Sequence, residues 1–122
     1  QIAIIGGGPA GLMAAEIAAN QGIRVDLFDA MPSVGRKFLL AGKGGLNLTH
    51  AEPLERFLKR YAEKASRLEP FIRDFDPEAL RQWALGLGVE TFIGSSQRIF
   101  PTEMKAAPLL RAWVSNASGV VA

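Results

Sequence analysis

Apolar and polar positions change period several times along this chain, and each change marks an element. Ile2, Ala3, Ile4 and Ile5 form an unbroken apolar run, the pattern of a strand buried in a parallel sheet. Positions 10–19 carry no β-branched run that would disturb a helix, and Asn20, Gln21 and Gly22 supply its stop. Positions 24–28 read as a second strand with Asp29 at its carboxyl end. Further on, Leu54, Phe57, Leu58, Tyr61, Ala62 and Ala65 recur at helical spacing and predict one amphipathic helix opened by Pro53. A second short helix is predicted over 68–75. Asp76, Pro77 and Glu78 then give a cap, a first-turn proline and an early acid. Leu80, Trp83, Ala84 and Leu87 share the face of that next helix, and Gly86 and Gly88 end it. Positions 89–93 and 98–101 predict two strands joined through Gly94, Ser95, Ser96 and Gln97. Ala106, Leu109, Leu110 and Trp113 line a last helix around Pro108, and 119–122 begin another strand. Trp83 and Trp113 could stack on a planar ring, but their helical spacing favours packing.

The chemistry lies where the first strand empties into Gly6-Gly7-Gly8-Pro9-Ala10-Gly11 and a helix follows at once. In this G-x-G-x-x-G turn Gly6 permits the reversal, Gly8 lets backbone approach a pyrophosphate, and Gly11 lets the helix pack closely on the strand. Unpaired N–H groups at the helix start face such a ligand, and the helix dipole favours its charge. A glycine turn alone is weak, since such turns also join ordinary strands and helices. Here the rest of the unit is present, because Asp29 falls about 20 residues beyond the turn, where a carboxylate accepts from ribose hydroxyls. A carboxylate there repels a ribose 2′-phosphate, so FAD or NAD is favoured over NADP. The pattern predicts an α/β fold, the amino-terminal part of a Rossmann-like, doubly wound domain. Its expected organisation is a β-α-β unit with a glycine-rich cofactor loop over 1–50, a helical and hairpin excursion over 51–118, and a returning strand from 119 to 122. Two parallel strands leave both edges unpaired, which predicts an amino-terminal fragment whose sheet is completed by further chain.

Composition narrows the classes. With 14 Lys+Arg against 12 Asp+Glu the net charge is +2, too small for a surface built to hold nucleic acid, so no nucleic-acid partner is expected. The absence of cysteine excludes disulfides and thiolate metal sites and fits a reducing compartment; no metal is expected. No apolar run approaches the roughly 20 residues that cross a bilayer, and the first glycine comes too early for a leader, so the expectation is a cytoplasmic chain without a membrane partner.

Positions 34–50 resist the helix-and-strand reading. Gly35, Gly42, Gly44 and Gly45 permit unusual backbone, and Arg36, Lys37 and Lys43 are placed to approach phosphate or a reduced, anionic ring. A solvated surface loop with a routine charge cluster accounts for the same residues.

Three phrases, GGGPAGLMAAE, VGRKFLLAGKGGLNLTH and GSSQRIFPTEMKAAPLLRAW, resemble in that order the bacterial flavoproteins of the BaiN/YhiN-like, aminoacetone-oxidase type, over nearly the whole chain. The first phrase is shared by many flavin and nicotinamide enzymes; the others are far more specific. The resemblance implies a longer FAD-dependent oxidoreductase, with a substrate-side domain and a second flavin-contacting segment near its carboxyl end. It puts Gly6, Gly8, Pro9, Ala10 and Gly11 at the FAD pyrophosphate and Asp29 at the adenosine ribose. It puts Gly35, Arg36 and Lys37 beside the cofactor, and the stretch containing Gly42, Lys43, Gly44 and Asn47 near the flavin. Two departures stand out. Many relatives have Gly-Arg-Cys-Asn where this chain has Gly45, Leu46 and Asn47, so a cysteine-mediated step at that loop is excluded. Many also have glycine at the place of Gln97.

Three functional readings follow. The leading one is the amino-terminal portion of a flavin-dependent oxidoreductase, with NAD(P)H as a candidate electron donor and an unidentified small-molecule substrate or acceptor. The second is an NAD-binding dehydrogenase domain, and the third a noncatalytic or RNA-associated flavoprotein. No catalytic residue is assigned. His50 is the single histidine, but its place before Pro53 is explained by exposure or capping, and Ser95, Ser96, Asp74 and Asp76 have no triad partner.

Overall fold

In the computed structural model, residues 1–117 and 120–121 are described. They form two compact units, one made of residues 1–44 and 105–122 and the other of residues 45–104. The expected divisions fell at 50 and 118 instead. Among the described residues no helix is long and apolar enough to cross a membrane.

The first unit is built on a parallel sheet in the order β1-β2-β6, with β1 at Ile2–Ile5, β2 at Val25–Phe28 and β6 at Val120–Val121. Ile2 pairs with Val25 and Ile4 with Leu27. Helix α1, Pro9–Asn20, connects the first two strands and buries Leu12 and Ala15; Val25 and Leu27 are buried in the same unit. Its end follows the predicted stop. The Gly22 N–H donates to the Ala19 carbonyl at 2.9 Å and the Ile23 N–H to Ala18 at 3.1 Å, a reversal that Gly22 makes at φ +73°. The expected strand over 119–122 is met by β6, paired through Val120 and Val121; positions 119 and 122 lie outside the described residues.

The cationic stretch after β2 is not wholly a loop. Arg36–Ala41 forms α2, capped by Gly35 and Gly42. It packs against α6, Ala106–Asn116, which buries Ala106, Leu109, Leu110 and Trp113. Both capping glycines are needed for that approach. A Cβ on Gly35 would lie 2.6 Å from a Leu110 methyl, and one on Gly42 would lie 2.5 Å from the Ala106 methyl. Trp113 is 3 % exposed, meets the Phe38 ring edge-on at 6.2 Å, and donates its indole N–H to Glu16 on α1 at 2.7 Å. Trp113 is therefore a packing residue. A helix of six residues is under two turns, too short for its period to show against the surrounding glycines.

The second unit carries an antiparallel sheet in the order β3-β5-β4, with β3 at Thr49–His50, β4 at Thr91–Ile93 and β5 at Arg98–Pro101. The predicted hairpin is present, and Ile93 faces Ile99 across it. Strand β3 was not predicted. It places His50 opposite Arg98, so His50 belongs to a sheet and not to a helix cap. The single helix expected from Leu54 to Ala65 is broken: α3 spans Leu54–Lys59, a 3₁₀ turn spans Ala62–Lys64, and α4 spans Ala65–Asp74. Ala62 sits at φ 47°, outside the helical region. The apolar spacing persists across the break, with Leu58 buried in α3 and Ala65 and Leu68 half-buried in α4, because spacing reports faces, not continuity. Helix α5, Pro77–Gly86, has the predicted start, with Asp76 accepting from the Ala79 N–H at 2.8 Å. Gly88 ends it at φ +81°.

Glu52 is the buried charged side chain of this unit, 6 % exposed. Its carboxylate accepts from the Arg60 guanidinium through both oxygens, Nη2 lying 3.1 Å from Oε2. That hydrogen bond holds the Glu52 carboxyl below the usual glutamate range, against the opposing effect of burial. The His50 Nδ1 accepts the Glu52 backbone N–H at 3.2 Å. Because the folded carboxyl titrates below its unfolded value, the pair's contribution is present above the ordinary glutamate pKa and is lost as pH falls through the lowered one. Glu52→Gln is expected to flatten the acid side of the stability–pH curve, read from denaturant midpoints between neutrality and pH 3. A variant as acid-sensitive as the parent would assign that sensitivity elsewhere.

Candidate functional site

The first unit assembles its site from the end of β1, the start of α1 and the end of β2. Gly6 turns at φ +104°, where a side chain is strained. A Cβ built on Gly11 would lie 1.9 Å from the Gly6 carbonyl oxygen, so helix and turn touch backbone to backbone. By contrast, nothing lies within 4 Å of a Cβ built on Gly8. Gly8 caps α1 in an extended conformation with no side-chain cap, and Pro9 brings no N–H. The amides of Ala10 and Gly11 in the first turn are too early to find a carbonyl in their own helix. These residues fit a pyrophosphate: they offer open space above Gly8, first-turn N–H donors and the positive end of a helix of 12 residues.

Asp29 lies beside the turn, but its carboxylate is engaged by protein. Oδ2 accepts from the Gly7 N–H at 2.7 Å and Oδ1 from the Met31 N–H at 2.8 Å. The Met31 and Gly7 amides hold the carboxyl below the ordinary aspartate range, with a smaller pull from nearby Arg36. Each oxygen keeps a further lone pair for a ribose hydroxyl. A hollow of about 340 Å³ opens next to it, lined by Leu27, Asp29, Met31, Pro32, Ser33 and Val34. Its walls are mostly apolar with one carboxylate, the chemistry an adenosine requires.

The remaining predicted residues are distributed more widely. Gly35 is tied to the turn, its N–H donating to the Gly7 carbonyl at 2.8 Å. Arg36 and Lys37 follow in the exposed first turn of α2. Gly42 caps the other end of that helix, with Lys43 and Gly44 exposed after it. Asn47 is exposed and belongs to the second unit. Gly35 and Gly42 thus have a packing reason to be glycine that the sequence did not reveal. Gly7 and Val34 were missed. The signal available was a third consecutive glycine, since the fingerprint leaves the middle position free.

A parallel sheet, a glycine-lined strand-to-helix turn and an acidic residue ending the second strand define a Rossmann dinucleotide-binding domain. The particular family follows from sequence: residues 1–121 match the model of the HI0933-like protein Rossmann domain, and the chain belongs to that family, a FAD-binding one with YhiN- and BaiN-type members. Among curated proteins, UacF of Escherichia coli (strain K12), named as an oxidoreductase, is 51 % identical over 35 residues, 29 % of this chain and 6 % of its own length. Among solved structures, THI4 of Thermovibrio ammonificans superposes with a TM-score of 0.56 at 21 % identity, covering 98 % of this chain and 36 % of that one. The second likeness is one of fold. The chain spans little more than a third of the length of this solved neighbour.

Proposed function

We propose that this chain is the FAD-binding amino-terminal portion of a flavin-dependent oxidoreductase. The carrying observation is the contrast within one turn, closed backbone to backbone at Gly11 and open above Gly8, with Asp29 beside it. Gly8, Ala10 and Gly11 would receive the pyrophosphate on backbone N–H groups, and Asp29 would accept from the adenosine ribose. Arg36 and Lys37 would add positive charge at the cofactor, and Gly42, Lys43, Gly44 and Asn47 remain candidates for its flavin end. Bound FAD supplies the electron chemistry, while the chain supplies orientation and charge. NAD(P)H is the donor proposed for the whole protein, and the cytoplasm its proposed compartment. Near-balanced charge supports a small-molecule acceptor over RNA.

The full-length protein is expected to copurify with a noncovalent yellow ligand that denaturation releases as FAD. Released NAD without flavin would overturn the reading in favour of a dehydrogenase. Gly8→Val places a branched side chain in the open space above the turn, so flavin content is expected to drop to about a tenth or less while circular dichroism and melting of the ligand-free protein stay close to the parent. Normal flavin content in that variant contradicts the geometry.

A further inference from the structure

Gly7 occupies the position that a G-x-G-x-x-G turn leaves unspecified, yet here it is the buried residue of the turn. Its peptide groups are held from three sides. The N–H donates to Asp29 Oδ2 at 2.7 Å, the carbonyl accepts from the Gly35 N–H at 2.8 Å, and a Cβ would fall 2.5 Å from the Val34 Cγ1. Asp29 is fixed in turn by the Met31 N–H on its other oxygen.

We infer that Asp29 is a positioning residue for the phosphate turn as well as a ribose contact: with Gly35 and Val34 it clamps the Gly7 peptide and sets the turn in its binding shape before nucleotide arrives. The inference rests on the nucleotide-binding reading and adds to it a role that does not pass through the ribose. Pre-organised donors lose less freedom on binding, so the clamp strengthens recognition of the pyrophosphate itself. The sign of the effect isolates the role. A carboxylate this near the turn repels phosphate, so removing only its charge would tighten a ligand that lacks ribose hydroxyls. Removing the clamp weakens that same ligand.

The experiment compares ADP with 2′,3′-dideoxy-ADP as probes, titrated calorimetrically into flavin-stripped full-length protein, for the parent, Asp29→Asn and Gly7→Ala. Asparagine offers one acceptor oxygen where two amides need two. Asp29→Asn is expected to weaken the dideoxy probe about fivefold or more, the net of a lost charge-assisted hydrogen bond in the clamp and the smaller relief of repulsion. Gly7→Ala, which leaves the carboxylate in place, is expected to weaken both probes to a similar degree. Melting temperatures without ligand establish that each variant is folded, and loss of amide protection at Gly7 in folded Asp29→Asn supports the clamp independently of binding. Unchanged or tighter dideoxy-ADP binding by Asp29→Asn, with only ADP weakened, overturns the inference and leaves Asp29 as a ribose contact. If the parent binds neither probe, the nucleotide reading fails and the inference with it.

Discussion

Gly11→Ala is expected to strip the full-length protein of its nucleotide and to destabilise the ligand-free fold together. The added methyl would stand 1.9 Å from the Gly6 carbonyl oxygen and 3.1 Å from its carbon, atoms of a backbone that cannot rotate away. Alanine in place of glycine favours a helix by about 1 kcal/mol. Forcing atoms into a filled space costs about 1–3 kcal/mol, and here the neighbour is main chain, so the cost is expected at the upper end and prevails. Denaturant unfolding of ligand-free protein, with flavin content measured alongside, gives the sign. A Gly11→Ala protein more stable than the parent would mean that turn and helix separate easily and that the close approach does not constrain the site. Gly8→Val differs in kind, because its cost falls on the ligand and not on the fold.

Trp113→Ala carries the other large effect. The side chain is almost wholly buried, packs edge-on against Phe38 on α2 and reaches Glu16 on α1, so one residue braces three helices. Deleting a buried tryptophan costs about 3–5 kcal/mol through lost burial and an unfilled cavity. Trp113→Phe keeps a ring but removes the donor to the Glu16 carboxylate, and is expected to cost about 2 kcal/mol, the worth of a hydrogen bond to a charged group. Thermal and denaturant midpoints separate the two variants. Equal losses would show that the Glu16 contact matters more than the ring.

What the sequence made legible was local. The β1–turn–α1–β2 unit shows in 29 consecutive residues because strand pattern, glycines, helix stop and Asp29 lie in fixed succession. Helix α5 was legible through its cap and its glycine stop for the same reason. Helix α2 and strand β3 were not, being too short to repeat a period. The break after Lys59 was hidden because Leu54, Phe57, Leu58 and Ala65 keep helical spacing across it. The pairing of Glu52 with Arg60, and the fit of Gly35 and Gly42 against Leu110 and Ala106, depend on partners brought together by folding, and no window along the chain displays them. For the site, the turn and Asp29 were readable, whereas Asp29's engagement with the Gly7 and Met31 amides was not.

The first unit is discontinuous, and its break is narrow. Gly42 and Ala106 touch on one side of the break, and within the other unit Gly45 lies against Met104, so residues 45–104 leave and re-enter the chain through neighbouring points. That is the arrangement of a grafted module. Closing such a detour costs entropy that grows only with the logarithm of its length, about 0.6 kcal/mol per doubling. A longer, shorter or exchanged module at this seam is therefore expected to leave the register of the parallel strands unchanged.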